Sequence, residues 1–299
     1  MRAGGFLLTV AAVAVVAAGV LSLRADGAGR KRGGGRAGGN GAGAGILGQP
    51  ELVADAGVRE PSGVAYDARR GRLFVVGDEG RLATLDRNGS RLQAVPVPVQ
   101  VEDVAVLPDG SLLLVRELGG ELILVDAETG REKRRWRLDT AALLGHKHRP
   151  DVNAGFEGLA LRPDSKRPGP GVLYLVHQRS PAAIIGVRFD PEGPSDVLGG
   201  EAVVARWDLE QQGDLTAATY VPSLDRILVI ADARDRLLVL DLDGKIQASI
   251  ALPGVQQEGL SLDDGGTLWV ADDRAGRLMR FPGALEKIAG ALAHSSEPK

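Results

Sequence analysis

The feature that most limits what this chain can become is a phrase that it repeats. Gly155-Phe156-Glu157-Gly158-Leu159-Ala160 has four relatives: Arg59-Glu60-Pro61-Ser62-Gly63-Val64-Ala65, Val101-Glu102-Asp103-Val104-Ala105, Gly213-Asp214-Leu215-Thr216-Ala217-Ala218 and Gln257-Glu258-Gly259-Leu260-Ser261. Each sets a carboxylate at the head of a short apolar run. Each is followed by the same outline: a polar turn, a run of Leu, Val and aromatics ending in an acid, a second turn and another run. Repetition at a period of roughly 40–57 residues marks a stacked or radial repeat architecture, because one unit cannot bury its own apolar face and its neighbours must.

Within the repeats, runs of four to seven strand-forming residues alternate with turn signals, and helical spacing is hard to find before Ala284. The first unit reads as strands over 62–66, 72–77, 81–86 and 90–97, with Asn88-Gly89 as a hairpin turn. The second reads 103–107, 111–115, 121–126 and 133–138; the third 159–162, 172–176, 183–189 and 202–208. The fourth reads 217–221, 226–230, 236–241 and 245–252, but the fifth has only 260–262, 267–270 and 277–281. Four antiparallel strands joined by tight turns make one blade of a β-propeller. Residues 51–54, just before the first repeat, supply the strand that the fifth blade lacks, so the two chain ends close the ring and leave few free edges. The expectation is an all-β, five-bladed propeller. A sixth blade would have to come from 140–154 or 191–201, and neither is strand-rich.

The propeller is expected to occupy residues 50–282 of the 299, with a tail over 283–299 in which Leu285, Ile288 and Leu292 share one side of a short helix. About 250 residues from Pro50 onward suffice for one large all-β domain. Residues 1–23 carry an unbroken apolar or small run from Phe6, the pattern of a signal peptide or a membrane anchor. The run just reaches spanning length and no small-x-small cleavage site precedes the polar segment, which favours an anchor. The excess of positive residues after it pulls toward a cytoplasmic domain. A short basic start before an apolar run is the commoner mark of export, so an exported domain, membrane-anchored or periplasmic, is expected. Residues 24–49, rich in Gly, Ala and Arg, read as a flexible tether. A net charge of −3 gives no reason to expect nucleic acid, and the absence of cysteine excludes a disulfide framework and thiolate chemistry.

In a propeller the first strand of every blade lines the central channel, so Glu60, Glu102, Glu157, Asp214 and Glu258 are expected to converge on one mouth of it. The second strand returns to the same face, bringing Asp78 (with Glu79), Glu117, Asp232 and Asp272 to a second ring, with His177-Gln178 in the third blade. Crowded, partly desolvated carboxylates must raise their pKa values, pair with cations or bind a metal. Hard oxygen donors without His or Cys suit calcium, and magnesium less well. The plainer alternative is that a repeated acid caps turns by accepting backbone N–H bonds. Arg59, Arg116, Arg179, Arg234 and Arg274 stand close enough in sequence to neutralise several acids. Ser62 and Thr216 follow acids without a histidine placed as base, and His146 and His148 lack carboxylates at ligand spacing. Trp136, Trp207 and Trp269 read as packing between blades.

At these same residues the chain resembles the SdiA-regulated, calcium-regulated β-propeller family of bacterial envelope proteins. The matching motifs are Glu60-Pro61-Ser62-Gly63 with Phe74-Val75-Val76-Gly77-Asp78-Glu79, Gly155-Phe156-Glu157-Gly158-Leu159-Ala160, Asp214-Leu215-Thr216, and Gln257-Glu258-Gly259-Leu260 with Leu268-Trp269-Val270-Ala271-Asp272. The resemblance runs from about Pro50 to Pro282 and implies a propeller, an envelope location and a link to calcium. The chain departs from the pattern at His177-Gln178, where the family more often has an acid before the Pro that is here Pro181, so a ligand position falls to Gln178 or is lost. It also lacks the Pro usual before Glu258 and the Gly usual after Thr216.

Three functions follow as expectations. The first is an envelope propeller that binds a divalent cation, calcium, with the inner acids as ligands and the second ring orienting them or acting through water. The second is a calcium-dependent hydrolase of phosphate esters or lactones, in which Arg116, Arg179, Arg234 and Arg274 would face the substrate. The third is a scaffold whose rim holds another envelope protein.

Overall fold

The computed structural model describes residues 45–295, apart from 54, 99, 118, 146–153, 165, 167–170 and 255. The apolar leader, most of the tether, His146 and His148 lie outside the described residues. The first described strand, β1 (Glu51–Val53), is followed by blade 1: β2 (Pro61–Asp67), β3 (Arg72–Gly77), β4 (Arg81–Asp86) and β5 (Arg91–Pro96). Blade 2 is β6 (Val101–Val106), β7 (Leu112–Arg116), β8 (Glu121–Val125) and β9 (Glu132–Leu138), after which comes the short helix α1 (Thr140–Leu144). Blade 3 is β10 (Phe156–Pro163), β11 (Gly171–His177), β12 (Ala183–Phe189) and, after the two-residue β13 (Val197–Leu198), β14 (Val203–Asp208). Blade 4 is β15 (Leu215–Val221), β16 (Arg226–Ala231), β17 (Arg236–Leu240) and β18 (Ile246–Ala251). Blade 5 is β19 (Gln257–Leu262), β20 (Leu268–Asp272) and β21 (Arg277–Phe281), followed by the helix α2 (Ala284–Ser295).

The fifth sheet is completed by β1, which runs antiparallel to β21 in the register Glu51↔Arg280 to Val53↔Leu278. An ion pair between Arg280 and Glu51, 2.5 Å, fastens that seam. The propeller therefore has five blades and is closed by its N-terminal strand, as the sequence predicts. One difference is β13, which pairs in parallel with β9 and makes blade 2 five-stranded. Two residues give no alternation to read, and their partner lies in the preceding blade, so no local pattern announces this strand.

The strand period explains how the blades hold together. Successive side chains point to opposite faces, so each central strand feeds two different cores. On β3, Leu73 and Val75 pack toward Trp269, Ala271 and Leu278 of blade 5. The intervening Phe74 and Val76 pack toward Val104, Leu112 and Leu114 of blade 2. The same division recurs between every neighbouring pair of blades, giving five cores around the ring. The tryptophans sit in these cores: Trp136 of β9 meets Phe189 of β12 edge-on, with ring centroids 5.1 Å apart. Helix α2 buries Ala284 and Ile288 against the core shared by blades 4 and 5. Among the described residues no helix is long and apolar enough to cross a membrane.

The innermost strands β2, β6, β10, β15 and β19 neighbour one another in that order and line the axis. They crowd in one layer. A Cβ at Gly63 would lie 2.6 Å from the Cα of Asp103, one at Gly158 3.0 Å from the Cα of Ala217, and one at Gly259 2.9 Å from the Cα of Gly63.

Candidate functional site

The inner strands share one irregularity that sets the geometry of the mouth. Each begins with a β-bulge, an extra residue that interrupts its ladder with the second strand. The bulged residue is Ser62 in blade 1, Glu102 in blade 2, Glu157 in blade 3, Thr216 in blade 4 and Glu258 in blade 5. Three of the five expected inner acids thus hold one structural position. Glu60 and Asp214 stand two residues earlier, where the other blades carry Gln100, Gly155 and Gln256. Glu60 is exposed there, in left-handed backbone at φ 43°, and Asp214 pairs with Arg179 at 3.2 Å. The signal that separates the two sets is the residue after the bulge, small in four blades (Gly63, Gly158, Ala217, Gly259) because the strands crowd in that layer.

The hydroxyls at the two remaining bulges are bound within the protein. Ser62 Oγ donates to Asp78 Oδ1 at 3.0 Å. Thr216 Oγ1 donates to the Gln257 carbonyl of the next blade at 2.6 Å. The second ring is likewise displaced in one blade. The residue paired just before each bulge is Gly77, Arg116, His177, Ala231 and Asp272, so the ring after it is Asp78, Glu117, Gln178, Asp232 and Asp273. Asp272 is buried and bound by Arg277 through two contacts, 2.9 and 3.0 Å, whereas Asp273 takes the position facing Glu258.

The carboxylates that do meet are strongly perturbed. Burial pushes Glu157 up to about 9, with Glu102, Glu117 and Glu258 adding repulsion and Arg179 opposing it. Burial likewise pushes Glu258 up to about 9, helped by Asp273, Glu102, Asp78 and Asp232. Glu102 raises both, consistent with the three acids sharing one bulge position on the ring of inner strands. Asp232 is also raised by burial, although the Gln257 N–H donates to its Oδ1 at 3.0 Å. Among the described residues neither Glu157 nor Glu258 makes an ion pair. Of the five arginines considered as neutralisers, Arg116 is turned to Glu121 at 2.9 Å and Arg234 to the Gln211 carbonyl. Arg59 and Arg274 are exposed, and Arg179 is the one whose charge opposes the shift of Glu157.

One acid was missed as a site residue. Asp103 follows the bulge of β6, where the other blades have Gly or Ala, and it is 1% exposed. Its Oδ2 accepts from the Leu159 N–H of the next blade at 2.8 Å and its Oδ1 from the Val104 N–H at 2.8 Å. Burial holds its carboxyl well above the ordinary range. It behaves as the capping acid of the plainer alternative: it ties two blades together from inside the ring.

A hard-cation site is compatible with this donor set, with one restriction. Among the described residues no group of three or more His, Asp or Glu side chains is placed to hold a metal ion as they stand, so coordination would require the acids to reorient. The mouth is rich in carboxyl oxygens, with the Gln178 amide and the Arg179 guanidinium beside them, a donor set that suits an ion tolerating variable coordination and retained water.

A closed five-bladed β-propeller with an acidic axial mouth is the class of protein that the fold and these residues define. The chain belongs to the SdiA-regulated family, whose model matches residues 53–282. Solved structures similar to it include a protein of unknown function from Bacteroides caccae, 16% identical, covering 75% of this chain and 78% of that one with a TM-score of 0.46. A luciferin-regenerating enzyme is 12% identical over 77% of this chain and 94% of its own, with a TM-score of 0.46. Hydrazine synthase of Kuenenia stuttgartiensis is 15% identical over 80% of this chain and 68% of its own, with a TM-score of 0.45. Likeness at this level carries no functional argument.

Proposed function

We propose that this propeller binds a divalent cation, calcium, at its acidic mouth, in a binding or sensing role at the cell envelope. The observation that carries the reading is the sharing of one bulge position by Glu102, Glu157 and Glu258, with Glu157 and Glu258 raised to about 9. These three would hold the ion, with Asp78, Asp232 and Asp273 behind them and Gln178 in the third blade; Glu60 and Asp214 would act from the rim. The ion would supply the positive charge that the mouth otherwise takes up as protons. Oxygen donors without thiolate or imidazole select a hard ion over zinc or iron. The envelope location rests on the apolar run at residues 6–23 and on the resemblance to bacterial envelope propellers seen in the sequence motifs.

Titration calorimetry of the full chain with calcium tests the reading. Because Glu157 and Glu258 hold protons at neutral pH, binding releases protons, and the measured heat varies with the ionisation enthalpy of the buffer. Affinity rises between pH 6 and 9 and is lost in Glu157→Gln. An absence of heat, or heat indifferent to that substitution, removes the proposal. A hydrolase would need cationic side chains turned to the same mouth. Of the arginines considered, Arg116 and Arg234 are turned to other partners and Arg179 is the one that acts on Glu157, which favours the binding role over phosphate-ester or lactone hydrolysis.

A further inference from the structure

The two ends of the axis differ in chemistry. Counted from the bulge, the third residue is small in every blade: Ala65, Ala105, Ala160, Thr219 and Ser261. The fourth is apolar or aromatic and half-buried in every blade: Tyr66, Val106, Leu161, Tyr220 and Leu262. The small ring leaves room and the apolar ring surrounds it. Together they line a cavity of about 470 Å³ at the end of the axis opposite the acids, and Leu285 of α2 adds to its wall. That volume falls within the roughly 300–1,000 Å³ of small-molecule pockets.

Its polar groups define what it would accept. Among the described residues no Lys, Arg or His lines the cavity, and the carboxylates that do are Asp263 and Asp264. Asp263 is engaged on both oxygens: Oδ1 accepts from the Gly265 and Thr267 N–H groups, and Oδ2 from Trp269 Nε1. Asp264 accepts from the Tyr66 hydroxyl at 2.9 Å and lies 3.7 Å from Arg87. The Tyr220 hydroxyl donates to Asp225 at 2.8 Å. Both tyrosine hydroxyls are therefore used at the rim, and what the rings offer the cavity is apolar surface. Ser261 Oγ accepts from the Tyr66 N–H at 3.0 Å, and its own proton has no acceptor among the described residues. A lining of this kind displaces water onto apolar contact, offers hydroxyls on Thr219, Ser223 and Ser261, and has no described cationic side chain to pair with an anion.

We infer that this cavity is a second binding site, for an uncharged lipophilic small molecule that carries a hydrogen-bond acceptor, such as an aliphatic alcohol or ester. The inference does not depend on the cation site, from which the crowded glycine layer separates it.

Photolabelling of the full chain with a diazirine-bearing decanol, in the presence of chelator, followed by peptide mapping, tests it. Label is expected on residues 64–66, 104–106, 159–161, 218–221 or 260–262. It is expected to be blocked by excess 1-decanol at concentrations at least tenfold below those at which decanoate blocks it. Ala160→Leu, which fills the small ring, and Leu161→Asp, which charges the rim, each reduce labelling at least tenfold, whereas Glu157→Gln leaves it unchanged. Leu161 is half-buried, so its variant remains informative if Ala160→Leu fails to fold. Label confined to residues 6–23 or spread over the surface overturns the inference. So does label that survives both substitutions in folded protein.

Discussion

Replacing Glu157 by Gln should make the protein more stable in the absence of calcium, and the structure sets the size. In the folded state Glu157 titrates at about 9, against an ordinary value of 4.5 for the unfolded chain. Between those values the unfolded chain has released a proton that the folded protein retains, so stability falls as pH rises. It is fully present below 4.5, declines through the neutral range and levels off above about 9. Each pH unit in that window costs about 1.4 kcal/mol, so by pH 7 about 3 kcal/mol has gone, an upper figure because solvent at the open mouth screens the repulsion. Gln has the same shape, no charge and no proton to release. The variant should gain up to about 3 kcal/mol at pH 7, roughly 6–12 °C in melting temperature for a domain of this size, and nothing near pH 4.5. Thermal melts followed by circular dichroism at pH 4.5, 7 and 8.5 in chelator measure this. A variant that melts lower than the parent at pH 7, or whose shift does not change with pH, would refute the account of Glu157 as a strained acid. With calcium present the order should narrow or reverse, because only the parent gains from the ion.

Three other substitutions probe the ring around the mouth. Arg277→Ala leaves the buried Asp272 carboxylate without its ion pair and should cost about 3 kcal/mol in urea unfolding. Asp103→Ala strands the Leu159 and Val104 N–H groups inside the ring and should cost about 2–4 kcal/mol by the same measurement. Thr216→Val removes the bond to the Gln257 carbonyl of the next blade. It should cost about 1–2 kcal/mol with no loss of calcium binding.

The architecture was legible because propeller strands announce themselves locally. The Asn88-Gly89 and Asp243-Gly244 turns, the apolar runs between them and the missing fourth strand of the last unit suffice to give five blades and their closure by Glu51–Val53. The site was legible only to the nearest pair of residues. In one dimension Glu60 and Glu102 look alike, each an acid before an apolar run. The bulge offsets them by two residues, and Ser62 and Thr216 take the position that Glu102, Glu157 and Glu258 hold elsewhere. Asp272 and Asp273 are confounded for the same reason, since adjacent acids do not say which one the ladder ends on. Asp103 escaped notice because its role depends on Leu159, a partner 56 residues away in another blade. The cavity opposite the acids depends on two rings of five positions, one small and one apolar or aromatic, residue types that carry no signal until the fold brings them together.

The central claim is that Glu102, Glu157 and Glu258 face one axial opening and there exchange protons for a cation. A crystal structure of the protein determined in calcium tests it most directly. The account predicts one ion at the mouth, in contact with carboxylate oxygens of these three residues and absent from crystals of Glu157→Gln. A calcium-soaked mouth without an ion, or an ion held only at the outer rim by Glu60 or Asp214, would contradict it.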